Sequence, residues 1–194
     1  SQRYKEKTIH KLKKIKYMII NTEKISEELV SFLCKNFPNA KILYYYGLTE
    51  ASRSSFINLS QVQSGLYKSV GKPTSNDIKI KIKEGEILIK GKHLFSGYYN
   101  EKNKNIINGY FKTGDLGHMN EKGYLFITGR KKDIINIGGL KITSQEIKDA
   151  LLKIDGIKDA AVTSFDNKLT GEEPVALIVT TKNISEELIK QKLK

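Results

Sequence analysis

The run Tyr44-Tyr45-Tyr46-Gly47-Leu48-Thr49-Glu50 sets a hydroxyl and a carboxylate just after an aromatic stretch. A tyrosine ring can stack on a base, a threonine hydroxyl can donate to a phosphate oxygen, and a glutamate can hold a hard cation such as Mg²⁺. Lys41-Ile42-Leu43 and the tyrosines read as a buried strand, and Gly47 suits the sharp turn that ends it. Thr49 and Glu50 then stand at the strand's C-terminal mouth, where open α/β sheets place their ligands. The same residues fit a plainer role, with the tyrosines as core and Thr-Glu as an ordinary capping pair. Taken alone, the run leaves both open.

Four more strings follow in order. They are Gly85-Glu86-Ile87-Leu88-Ile89-Lys90-Gly91, Ser96-Gly97-Tyr98-Tyr99-Asn100, Phe111-Lys112-Thr113-Gly114-Asp115-Leu116 and Gly129-Arg130-Lys131-Lys132-Asp133. With Tyr46-Gly47-Leu48-Thr49-Glu50 ahead of them, in this order and at these intervals, the chain resembles the adenylate-forming enzymes: acyl-CoA synthetases, luciferases and the adenylation domains of peptide synthetases. The resemblance runs from about Leu12 to the end of the chain. It implies an α/β unit plus a β-barrel, together the C-terminal part of the large adenylation domain, followed by a small α+β domain. It also implies a reaction: a small-molecule carboxylic acid attacks the α-phosphate of ATP, pyrophosphate leaves, and the acyl group passes to a thiol. That thiol belongs to CoA or, alternatively, to the phosphopantetheine of an acyl carrier protein.

Residue roles follow from the same resemblance. Tyr46 would stack on adenine beside Gly47, Thr49 would meet the α-phosphate, and Glu50 would bind Mg²⁺, making Thr49 and Glu50 the catalytic pair. Asp115 matches the aspartate that accepts hydrogen bonds from the ribose hydroxyls, a task for which both carboxylate oxygens are equipped. Its plainer role is a turn aspartate after Gly114. Arg130 matches an arginine that also reaches the nucleotide. Lys132 matches the hinge about which the small domain rotates, and a hinge needs backbone freedom rather than a special side chain. Gly138-Gly139 matches the loop that admits the pantetheine thiol, where missing side chains would allow close backbone approach.

Three departures qualify the match. No Ser/Thr/Gly-rich phosphate loop precedes Tyr44, and no lysine near Lys194 has the Gly-Lys context of the family's C-terminal catalytic lysine. Asn21-Thr22 stands where relatives often have Gly-Gly beside the acyl pocket. The expectation is a fragment of a longer ligase, inactive by itself. A non-catalytic adenylate-binding or scaffolding module is the competing reading.

The elements that must position these residues follow from periodicity. Tyr17-Met18-Ile19-Ile20 reads as a strand, Ser26 caps a helix whose inward face is Leu29, Phe32, Leu33 and Phe37, and Lys41 to Tyr46 returns as a parallel strand. This β-α-β unit occupies about 1–65. From about 66 to 130 short alternating strands with Gly and Asn turns predict the barrel-like part. Thr143-Ser144-Gln145-Glu146 has capping-box spacing, with Ile147, Ala150, Leu151 and Ile154 on one face. Strands over Ala160–Thr163 and Val175–Thr181 and a helix from Ser185 complete a module of 131–194. The boundary is expected at Arg130 to Asp133, in a solvated linker.

Composition narrows the class. The net charge is +13, yet the lysines are spread along the chain, as in Lys79-Ile80-Lys81-Ile82-Lys83, where they form the solvent face of a strand. Only His10 to Lys16 is dense, without an aromatic-basic motif, so no nucleic-acid partner is expected and the charge serves polyanions such as ATP and CoA. No stretch reaches the roughly 20 apolar residues of a membrane span. Cys34 is single and reads as a packing residue, which fits a cytoplasmic setting.

Overall fold

A computed structural model describes residues 14–21, 25–62, 65–100, 105–167 and 171–193. The chain divides into two units: Ser1–Thr113 with Gly117–Ile127, and Gly114–Leu116 with Thr128–Lys194. Thr22, the run from His10 to Lys13, and Lys194 lie outside the described residues.

In the first unit β1 (Tyr17–Ile20) lies parallel to β2 (Lys41–Tyr46), and α1 (Glu27–Asn36) connects them. β3 (Ser55–Asn58) and β4 (Lys72–Pro73) extend this sheet in the order β1-β2-β3-β4. The Ser26 hydroxyl accepts the Leu29 N–H at 3.2 Å, satisfying a donor that the first helical turn leaves orphaned. The inward stripe differs from the expected one. Val30 and Phe37 are buried, Leu33 and Cys34 pack beside them, and Leu29 and Phe32 are exposed. Residues 30, 33, 34 and 37 form as good a 3.6-residue stripe as one begun at Leu29, so spacing alone could not choose between two overlapping apolar faces.

A second sheet holds β5 (Lys79–Lys83), β6 (Glu86–Lys90), β7 (Ile106–Ile107) and β8 (Tyr110–Met119) in the order β5-β6-β8-β7, with β9 (Leu125–Arg130) paired to β8. Lys79, Lys81 and Lys83 are exposed and alternate with half-buried Ile80 and Ile82, as the period-2 pattern requires. Ile87, Ile89 and Leu125 are fully buried in one core with Ile42 and Tyr44.

The second unit carries its own sheet, β11-β10-β13-β12, built from β10 (Ile134–Ile137), β11 (Leu140–Thr143), β12 (Ile157–Asn167) and β13 (Gly171–Thr180). Between β9 and β10 the chain makes one 3-10 turn, Lys131–Asp133, with Lys131 and Lys132 exposed. α2 (Ser144–Leu151) opens with the expected capping box: Thr143 Oγ1 accepts the Glu146 N–H, and the Glu146 carboxylate accepts the Thr143 N–H at 2.8 Å. Leu151 and Ile154 are buried with Ile157 and Ala160, but Ile154 lies past the end of the helix rather than on its face. α3 (Glu186–Lys192) follows its Ser185 cap. Among the described residues no helix is long and apolar enough to cross a membrane.

Candidate functional site

Strand β2 delivers the Tyr44–Glu50 run with strict alternation. Tyr44 and Tyr46 face the core, whereas Tyr45 faces the other side, where its ring lies 5.3 Å from that of Phe56 and its hydroxyl accepts the Asn21 Nδ2 hydrogen at 3.2 Å. Tyr46 is only 6% exposed, so little of this residue is open to solvent in this structure. Burial raises the Tyr44 phenol above the ordinary tyrosine value, so it stays protonated.

Beyond the strand, Leu48 and Ala51 exchange backbone hydrogen bonds of 3.1 and 3.2 Å and close a turn that holds Thr49 and Glu50 at its tip. Gly47 is needed here for space. A Cβ at that position would lie 2.4 Å from the Arg53 nitrogen and 3.1 Å from the Ala51 oxygen. The expected reason was backbone freedom, but Gly47 is not among the positive-φ glycines.

A segment after β6 clamps this turn. Ala51 bridges to Leu94, the Phe95 N–H donates to the Glu50 carbonyl at 2.9 Å, and the Tyr98 hydroxyl donates to the Glu50 carboxylate. Tyr98 stands edge-on to Phe95 with centroids 4.9 Å apart, and Phe95 stands edge-on to buried Phe111 at 5.5 Å. Thr49 is exposed and Glu50 half-buried. Sequence reasoning matched Ser96 to Asn100 as a string but assigned Tyr98 no role. A hydroxyl 48 positions from its carboxylate partner leaves no local signal.

In the second unit Asp115 lies in the middle of β8, 4% exposed, and so is not a turn aspartate. Gly114 beside it has φ of 73°, a conformation that side chains rarely adopt. The Arg130 Nε donates to Asp115 Oδ1 at 3.0 Å. A buried carboxylate is costly unless paired, and this pair meets that need while leaving the guanidinium half-exposed toward solvent.

Lys132 is exposed in the 3-10 turn. Gly138 and Gly139 form the two-residue loop between β10 and β11, with φ of 58° and 93°, the pattern of a type I′ turn. A Cβ at either would meet nothing within 4 Å. Their positive φ values alone account for the glycines in this structure. The Asn136 side chain accepts the Gly139 N–H at 3.1 Å and fixes the turn. Cys34 sits half-buried with Sγ 3.9 Å from the Leu59 oxygen, and burial raises its thiol pKa, which suits packing rather than nucleophilic chemistry.

Among the described residues no cluster of three or more His, Cys, Asp or Glu could cage a metal. A single carboxylate at an exposed turn does fit Mg²⁺, which is usually held by one or two carboxylates together with substrate phosphates.

A family profile described as AMP-binding enzyme matches residues 1–99, half of the chain. The chain belongs to the AMP-binding enzyme family. Among its relatives is 2-succinylbenzoate–CoA ligase of Oceanobacillus iheyensis, 38% identical over 167 residues, which cover 80% of this chain and 34% of that protein. The same-named ligase of Bacillus velezensis is 34% identical over 166 residues, covering 79% of this chain and 33% of that one. Among solved structures, the O-succinylbenzoate coenzyme A synthetase of Bacillus subtilis in complex with ATP and magnesium superposes with a TM-score of 0.77 at 25% identity, covering 97% of this chain and 43% of that one. The chain thus spans about a third of the length of the curated relatives it matches. Within this AMP-binding enzyme chain, the matched span holds the Tyr46–Glu50 turn and Tyr98, while Asp115 and Arg130 lie beyond it.

Proposed function

We propose that the protein bearing this chain is an AMP-forming acid–thiol ligase that makes an acyl-adenylate from a carboxylic acid and ATP and passes the acyl group to CoA. The observation that carries this reading is Asp115, a carboxylate held almost fully buried in mid-strand by Arg130 at 3.0 Å. Its placement suits a pair of hydroxyls such as those of a ribose, which a carboxylate can accept together. The reading assigns further roles to the chain's own groups. The Thr49 hydroxyl donates to the α-phosphate, Tyr46 borders the adenine, and Arg130 orients Asp115 and faces the nucleotide. Glu50, aimed by Tyr98, would hold Mg²⁺, which when bound neutralises phosphate charge.

In the first half-reaction the acid's oxygen forms a bond to the α-phosphorus and the bond to pyrophosphate breaks. In the second, the thiol sulfur bonds to the acyl carbon, AMP leaves, and the thiol proton goes to solvent. Lys132 is the proposed hinge between these steps, and the Gly138-Gly139 turn the proposed thiol-side loop. For the acid, 2-succinylbenzoate is the first choice, because the two curated relatives above carry it in their names. Those names also favour CoA over a carrier protein as acceptor. Asn21, beside Tyr45, is proposed to border the acid site, with Thr22 next to it in sequence.

The test is acid-dependent ATP–pyrophosphate exchange in the protein that carries this chain, with and without two substitutions. Asp115→Ala should weaken ATP binding by about 1–3 kcal/mol at constant Mg²⁺. Glu50→Gln should slow adenylation, and part of the loss should return as Mg²⁺ is raised. Unchanged ATP affinity in the first, or full activity indifferent to Mg²⁺ in the second, would overturn the assigned roles.

A further inference from the structure

Ser54 is fully buried, and its hydroxyl oxygen lies 2.9 Å from the Ala51 carbonyl oxygen and 2.9 Å from His93 Nε2. A hydroxyl has one proton to give. Donated to Ala51, it leaves the Ser54 oxygen as acceptor, so the imidazole proton sits on Nε2 and Nδ1 keeps a bare lone pair. Nδ1 is itself buried and meets no hydrogen-bond partner among the described residues. The opposite assignment would bury an N–H with no acceptor and strand the Ala51 contact, the costlier arrangement. Gly91 makes room for this ring, since a Cβ there would lie 2.6 Å from Nδ1.

We propose that His93, acting through Ser54, is a positioning residue for the Leu48–Ala51 turn and therefore for Thr49 and Glu50. The Ala51 carbonyl that accepts from Ser54 also accepts the Leu48 N–H at 3.1 Å, the bond that closes the turn. The segment that bears His93 grips the same turn twice more by its backbone, through the Leu94 bridge and the Phe95 N–H. With the Tyr98 hydroxyl on the Glu50 carboxylate, His93 is thus one of two side-chain points in a four-point clamp, set from 39 residues away. The proposal rests on the reading of Thr49 and Glu50 as nucleotide and metal contacts.

The clamp has an acid limit. Burial lowers the His93 pKa below the usual histidine value, and Asp77, the carboxylate whose field reaches the ring, only partly offsets this; Lys92 lies within the field of Asp77. The neutral ring's contribution is complete above the unfolded value of about 6.5 and is lost as pH falls through the lowered folded value. Protonation would place a charge and a second N–H, this one on Nδ1, where no described residue offers an acceptor.

The experiment uses the 194-residue chain and reads imidazole ¹⁵N shifts and amide hydrogen exchange across pH, corrected for intrinsic rates. The expected result is an Nε2–H tautomer for His93 and protected amides at Leu48 and Ala51 that open as the ring titrates. Ser54→Ala and His93→Leu should each speed exchange at those amides by about fivefold, the loss of one hydrogen bond. His93→Gln, whose amide can donate to Ser54, should restore protection and abolish its pH dependence. If His93→Leu unfolds the chain, Ser54→Ala still decides, because it removes one oxygen. Unchanged exchange in Ser54→Ala, an Nδ1–H tautomer, or no rescue by His93→Gln overturns the proposal.

A second readout is the Mg²⁺ concentration that half-saturates ATP binding to the protein carrying this chain, expected to rise severalfold in Ser54→Ala and not in His93→Gln. If Glu50→Gln shifts that midpoint and Ser54→Ala does not, the positioning proposal fails. If Ser54→Ala alters exchange and neither variant shifts the midpoint, the clamp stands and the metal role of Glu50 fails.

Discussion

Two turns carry glycines that the sequence marks equally, and the structure uses them for opposite reasons. The turn after β2 is crowded: a Cβ on Gly47 would lie 2.4 Å from a backbone nitrogen, and Ala51 within the turn is fully buried. The Gly138-Gly139 turn is open, with no atom of the described residues beyond its chain neighbours within 4 Å of either missing Cβ, and φ of 58° and 93° demand its glycines. A crowded turn holds its side chains to one geometry. An open type I′ turn is held mainly by its own torsions and by Asn136. The first suits a site that must present a carboxylate at a fixed place, and the second suits a loop free to meet solvent or a partner.

The sharpest way to break this contrast is Gly47→Ala. Backbone atoms on both sides cannot move aside cheaply, so the first unit should lose about 3 kcal/mol of stability by urea denaturation. A loss no larger than that at Gly139 would dissolve the distinction. Gly139→Ala, with only the torsion to resist it, should cost about 1–2 kcal/mol. Its ATP affinity, measured by titration calorimetry, should stay at the parent level. Tyr98→Phe removes the hydroxyl that aims Glu50, so the Mg²⁺ requirement for ATP binding should rise by about tenfold or more, the worth of one hydrogen bond to a charged group. No change there would mean that Glu50 needs no aiming. Gly138→Asn should be the mildest, at about 0.5 kcal/mol or less, because asparagine tolerates positive φ. A cost as large as that of Gly139→Ala would show that something besides torsion selects the glycine.

What could be read from the chain was local in origin. The Ser26 cap, the Thr143–Glu146 capping box and the lysine face of β5 each depend on residues within a few positions or on a period of two, and all are present. The five ordered strings likewise identified the family, because motif order is a property of the chain. Where periodicity had two answers, as on α1, the expected stripe was right at Leu33 and Phe37 and wrong at Leu29 and Phe32. Val30 and Cys34 turn inward instead of Leu29 and Phe32 because a sheet packs on that side.

The same division runs through the candidate site. Sequence by itself determined which groups are available: Thr49 and Glu50 at a strand end, Asp115 after a glycine, Arg130 at the close of β9. Only the tertiary structure decided what holds them: Tyr98 on Glu50, Arg130 on Asp115, and His93 on Ser54, at separations of 48, 15 and 39 residues. It also set the burial of Tyr46 at the end of β2. The reason is that hydrogen bonds across such distances follow from strand pairing and loop packing, which fix partners in space whose positions in the chain bear no regular relation to each other.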